Sequence, residues 1–152
     1  MPQDPPIFNA YFIQTHDDGT FQFLREEEGG KPAAVLIVDD RYGEWCDLLA
    51  WFLDNPTRWW LRHGDETPIL GAARLAQANE EAQSVSLHGN PESWIMARMR
   101  GVCVIDWRVD LRPLFEDIPR IHGETRELRD HLRKALRRHE PRLDFKGPRR
   151  GP

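Results

Sequence analysis

The spacing of turn signals constrains this chain most. Over the first 65 residues, Asp17-Asp18-Gly19, Gly29-Gly30, Asp39-Asp40 with Gly43, and Asn55-Pro56 recur at short intervals. Gly, Asn, Asp and Pro each favour a tight turn through their own backbone preferences. The segments between them suit strands, and their composition agrees. Ile7 to Gln14 carries Phe8, Tyr11, Phe12 and Ile13, Thr20 to Leu24 alternates, and Ala33 to Val38 is a short apolar run. The first two segments read as a β-hairpin across Asp17-Asp18-Gly19. Trp45 to Leu53 has a helix-compatible composition, yet turn signals bracket it closely and aromatics are frequent, so it reads as a strand. Arg58-Trp59-Trp60-Leu61-Arg62 follows the Asn55-Pro56-Thr57 turn. The N-terminal half is therefore expected to be an antiparallel β-meander.

After that the pattern changes. Gly71 to Gln83 is rich in Ala, Leu and Gln and predicts a helix. Val85 to Leu87 fits a short strand. Asn90-Pro91 opens a second helix, with Asn as cap and Pro in the first helical position; Trp94, Ile95 and Met99 face inward and Gly101 ends it. Val102 to Trp107 is apolar with little alternation, as in a strand buried on both faces. Pro113 and Pro119 interrupt Arg108 to Gly123, which gives no clear periodicity. Thr125 to His139 is the clearest helix, with Leu128, Leu132 and Leu136 every four residues and Pro141 as its stop. These helix-strand-helix elements are expected to pack on the sheet. The fold class is α+β, one domain over residues 1–140, with a disordered basic tail over 141–152.

A chain of 152 residues with 39% hydrophobic and 30% charged content can bury a core without a disulfide or metal. Cys46 and Cys103 each sit in an apolar run and read as buried free thiols. The segment Met1 to Pro6 lacks the basic and apolar stretches of an export signal, and the longest apolar runs are six residues, so a cytoplasmic protein without a membrane span is expected. No cofactor signature is present. The net charge of −4 hides a segregation: residues 126–152 carry ten Lys/Arg against four Asp/Glu, while the preceding 125 residues carry eleven against 21. An acidic body with a basic end points to a nucleic-acid contact or a partner-binding tail.

On the last predicted helix, Arg126, Arg129, Arg133 and Arg137 fall on one side, and Lys134 and Arg138 extend that surface. Arg142, Lys146, Arg149 and Arg150 follow. Such a surface can neutralise phosphates without reading sequence. It can equally be a solvated face, and the Asp130–Lys134 spacing favours that alternative.

Trp45, Trp51, Trp59 and Trp60 fall close together, and Trp94 and Trp107 come later. With Arg58 and Arg62 beside them, Trp45, Trp59 and Trp60 are candidates for a partner-binding surface, since tryptophan and arginine anchor interfaces. Core packing is the alternative. Adjacent strand residues point to opposite faces, so Trp59 and Trp60 cannot share one.

Catalytic signals are sparse. Asp39, Asp40, Asp106 and Asp110 follow apolar runs, where metal-dependent enzymes place carboxylates, and predict a cleft if they converge. The six histidines match no zinc spacing, and there is no nucleophile elbow or phosphate loop.

The runs Asp47-Leu48-Leu49-Ala50-Trp51, Asn55-Pro56-Thr57-Arg58-Trp59-Trp60-Leu61-Arg62 and Leu70-Gly71, with Trp94 and Gly101-Val102-Cys103-Val104-Ile105-Asp106-Trp107, resemble small uncharacterised proteins encoded by bacterial phages and mobile elements. The resemblance implies an accessory role in the bacterial cytoplasm, exercised by binding or inhibiting a host or defence component. The leading expectation is thus a non-enzymatic accessory protein with a protein partner. A nucleic-acid-binding protein and a metal-dependent enzyme are the alternatives, and a second copy of the chain is a further candidate partner.

Overall fold

The computed structural model describes residues 7–64 and 67–138. The N-terminal half holds β1 (Ile7–Thr15), β2 (Phe21–Leu24), a single 3-10 turn at Glu26–Glu28, β3 (Lys31–Asp39), β4 (Trp45–Trp51) and β5 (Trp60–Leu61). These form one antiparallel sheet in the order β2-β1-β3-β4-β5. The turn signals fall where the chain reverses, because each supplies the backbone a strand connection needs: Gly19, Gly29 and Gly43 all have positive φ. The expected succession of neighbouring strands holds from β3 to β5. The departure is at β3, which lies beside β1 and not beside β2, with a bulge in β1 between Phe8 and Tyr11.

This sheet curls until its outer strands meet. Leu61 N–H donates to Gly19 O at 3.0 Å, and Thr20 and Leu61 form a parallel bridge. The contact pins the five strands into a small, partly open barrel at one point of their outer strands. Its inner face is a core of Ile13, Phe21, Ala33, Val35, Ala50 and Trp60, with Leu48 and Phe52 at the margin. Alternate residues of the same strands, among them Ala34, Leu36, Val38, Leu49 and Trp51, point outward into a second core.

The C-terminal half builds a sheet of its own. Its elements are β6 (Ile69–Leu70), α1 (Ala72–Glu81), β7 (Val85–His88), α2 (Pro91–Met96), β8 (Val102–Val104), α3 (Arg112–Phe115), β9 (Ile121–Gly123) and α4 (Arg126–Arg138). The strand order is β6-β8-β7-β9, with β7 parallel to both β8 and β9. Leu70 and Cys103 from this sheet, Ile105 just after β8 and Trp94 from α2 join the second core and fix the half against the barrel. A third core lies on the far face, where Leu75 of α1, Phe115 of α3 and Leu128, Leu132 and Ala135 of α4 cover Leu87, Val102 and Val104.

The sequence expectation for α2 needs one correction. The helix stops at Met96 instead of running to Gly101, because Arg98 and Met99 adopt positive φ. Asn90 does cap it, accepting from Ser93 N–H at 2.9 Å. Among the described residues no helix is long and apolar enough to cross a membrane.

Candidate functional site

The β3–β4 hairpin carries the most exposed aromatic side chains of the described residues. Tyr42 is 78% exposed at its turn, and Trp45, at the start of β4, is 68% exposed. The turn is held by the Asp40 carboxylate, which accepts from Tyr42 N–H at 2.8 Å and Glu44 N–H at 3.0 Å. Trp45 donates its indole N–H to Asp47 O at 3.0 Å, so the ring is fixed while its face stays in water. A side chain already held in place loses less conformational entropy on binding.

Asp47 organises this corner. It is only 2% exposed, yet its carboxylate is fully used: Oδ1 accepts from Leu48 N–H at 2.8 Å and His63 N–H at 3.0 Å, and Oδ2 accepts from Gly64 N–H at 3.0 Å. The buried carboxylate therefore straps the segment after β5 against β4. Arg62 and His63 are thereby brought beside Trp45, around a shallow depression of about 170 Å³. Arg62 also donates one guanidinium N–H to Phe21 O at 3.3 Å, and its side chain stays exposed. On the other side of the hairpin, a groove of about 470 Å³ runs between Arg41 and Cys46 and the α1 and α3 residues Leu75, Asn79 and Leu114.

The five residues expected at a partner-binding surface separate in space. Trp45 and Arg62 share the corner just described. Trp60 lies in the barrel core at 7% exposure, its ring 5.2 Å from Phe52 and covered by Arg58 at 4.9 Å. Trp59 points the opposite way, as strand alternation requires, and donates its N–H to Ile105 O at 2.9 Å, tying the barrel to the second sheet. Trp51 and Trp94 are core residues, and Trp107 stacks on His131 with centroids 3.9 Å apart. The tryptophan cluster is thus mostly interior. Sequence spacing missed the roles of Tyr42, Asp47 and His63. The aspartate's position inside an apolar run was the one signal available for it.

The carboxylates proposed for metal chemistry do not gather. No group of three or more His, Cys, Asp or Glu side chains among the described residues is arranged to hold a metal. Asp106 is occupied by Arg108, which contacts it through Nε at 3.0 Å and Nη2 at 3.2 Å. Burial works to raise the Asp106 carboxyl, but the side-chain and backbone donors of Arg108 outweigh it and hold the group below its usual range. Asp110 is paired in the same way with Arg112. Asp40 caps its turn, and burial, helped by the Asp40 charge, pushes the neighbouring Asp39 up. The cleft expected to bring these four carboxylates together as a metal site is therefore not formed among the described residues. Cys103 is buried, and burial pushes its thiol far above the ordinary range; Cys46 is half-buried and donates to Val38 O.

Of the basic residues, Arg126, Arg129, Arg133 and Arg137 are all exposed on α4. Asp130 pairs with Arg133 at 3.3 Å and not with Lys134, the partner expected from spacing. The Arg138 side chain, Arg142, Lys146, Arg149, Arg150 and the tail expected over 141–152 lie outside the described residues. Comparison of the chain with protein-family models, curated proteins and solved structures finds no match.

Proposed function

We propose that this is a non-enzymatic accessory protein that acts in the cytoplasm by binding a protein partner, and that Trp45 and Arg62 are its principal contacts. The observation that carries the reading is the state of Trp45: a large aromatic ring, mostly in water, at the start of β4 beside a register shift, with its polar atom already satisfied inside the protein. A tryptophan with core packing available elsewhere has no folding reason to remain outside, and exposed rigid aromatics beside arginine are the usual energetic centre of an interface. The chemistry of the corner specifies the partner surface. It should offer an apolar pocket for the indole and a carboxylate for the Arg62 guanidinium, whose planar fork suits that group. A role in a phage or mobile element, as an inhibitor of a host or defence component, fits a small binding protein of this kind.

The test compares the proteins retained by the wild-type chain, by Trp45→Ala and by a variant neutralised on α4. The reading expects one discrete protein held by the first and third, with affinity at least tenfold weaker for Trp45→Ala, as truncating an anchor tryptophan costs about 2 kcal/mol or more. Equal retention by wild type and Trp45→Ala would sink it.

A further inference from the structure

The surface of α4 has no part in the Trp45 corner and has a different character. Its apolar residues are accounted for: Leu128, Leu132 and Ala135 are buried in the far core, and Leu136 packs against them. Every exposed residue from Arg126 to Arg137 is charged, apart from His131. Arg126, Arg133 and Arg137 line the solvent side, while the stem of Arg129 lies over Gly123. Among the described residues, Arg133 is the one α4 cation with an ion pair, and that pair is exposed on both sides. Exposed pairs of this kind hold their partners weakly.

We infer that α4 is a binding surface for the phosphate backbone of duplex nucleic acid, read without sequence preference. Three observations choose this occupant. The first is charge complementarity: α4 carries six Lys/Arg against two Asp/Glu, the chain beyond it adds four more Lys/Arg, and residues 1–125 are acidic in net charge, with eleven Lys/Arg against 21 Asp/Glu. The second is the absence of any exposed apolar side chain on the outer face of α4. A protein interface needs a desolvated apolar centre, and this face cannot supply one. The third is that Trp107, the aromatic that meets the outer face of the helix at His131, is already stacked on that side chain. Single-strand binding relies on open aromatic platforms for bases, so the surface suits a duplex backbone better. From Arg126 to Arg137 the helix rises about 16 Å, which runs alongside roughly five phosphates of one strand. Arginine predominates over lysine here, and its fork grips phosphate oxygens in pairs.

The experiment is binding of the full chain to a fluorescent DNA duplex of about 20 base pairs, from about 50 to about 200 mM salt. Binding should weaken roughly a hundredfold across that range, as expected for about four neutralised phosphates. The triple variant Arg126→Gln, Arg133→Gln, Arg137→Gln should reduce the salt slope by about three, with an unchanged melting temperature because the residues are exposed. A second variant, Glu127→Gln with Asp130→Asn, should bind several-fold more tightly. It keeps the inference testable if the triple variant misfolds. No binding at the lowest salt, a slope unchanged in the triple variant, or equal competition by an acidic peptide of the same charge would each overturn it.

Discussion

Asp47 shows how much one buried charge can decide. It sits near the start of β4, ahead of the apolar and buried Leu49, Ala50 and Trp51. Three backbone N–H groups converge on its carboxylate, two of them from the segment after β5. Replacing it by alanine would leave three N–H groups without their acceptor at a part-buried site, and each such loss costs on the order of 1 kcal/mol. We expect Asp47→Ala to lose about 3 kcal/mol and to melt roughly 6–12 °C lower in a thermal scan. Asp47→Asn, which retains an acceptor oxygen, should lose less. If Asp47→Ala melted with the wild type, the carboxylate would not be holding Arg62 and His63 in place. The same residue marks a limit of sequence reading. A lone Asp in an apolar run is visible, but which distant N–H groups it serves depends on a sheet that only the folded chain defines.

At the scale of elements, the boundaries that were legible are those set by local chemistry. Asn90-Pro91 starts α2 and the leucine repeat defines α4, since capping and helical periodicity act over a few residues. Strands β6 and β9, with two and three residues, were not legible, because neither is long enough to show alternation and both exist by pairing with β8 and β7. The end of α2 is a related case. Gly101 has φ of 83°, and a Cβ there would lie 2.3 Å from Ser86 O, so the chain enters β8 through a backbone that only glycine fits without strain. Gly101→Ala is expected to cost about 3 kcal/mol, from left-handed strain together with displacement of β7. A denaturant titration would show it as a lower midpoint with an unchanged slope. A neutral substitution would contradict the close approach of β7 and β8 at this point.

Taken whole, the molecule is a curled antiparallel barrel joined through a shared core to a mixed sheet backed by helices. The α+β class and the five N-terminal strands could be read from turn spacing. The barrel closure could not, because it depends on one bridge between Thr20 and Leu61, 41 residues apart by sequence. That closure also explains why a tryptophan-rich segment yields a single well-exposed ring: curling the sheet gives Trp60 an interior and leaves the hairpin at Trp45 outside. The exposed corner at Trp45 is where we propose that a protein partner binds. The most direct measurement places a photo-cross-linking side chain at position 45 in the living cell, with position 80 on α1 as the control, and repeats it in an Arg62→Glu background. Position 45 should yield one discrete cross-linked protein, position 80 none of it, and Arg62→Glu should abolish it. The same products from both positions, or a product indifferent to Arg62→Glu, would contradict the proposal.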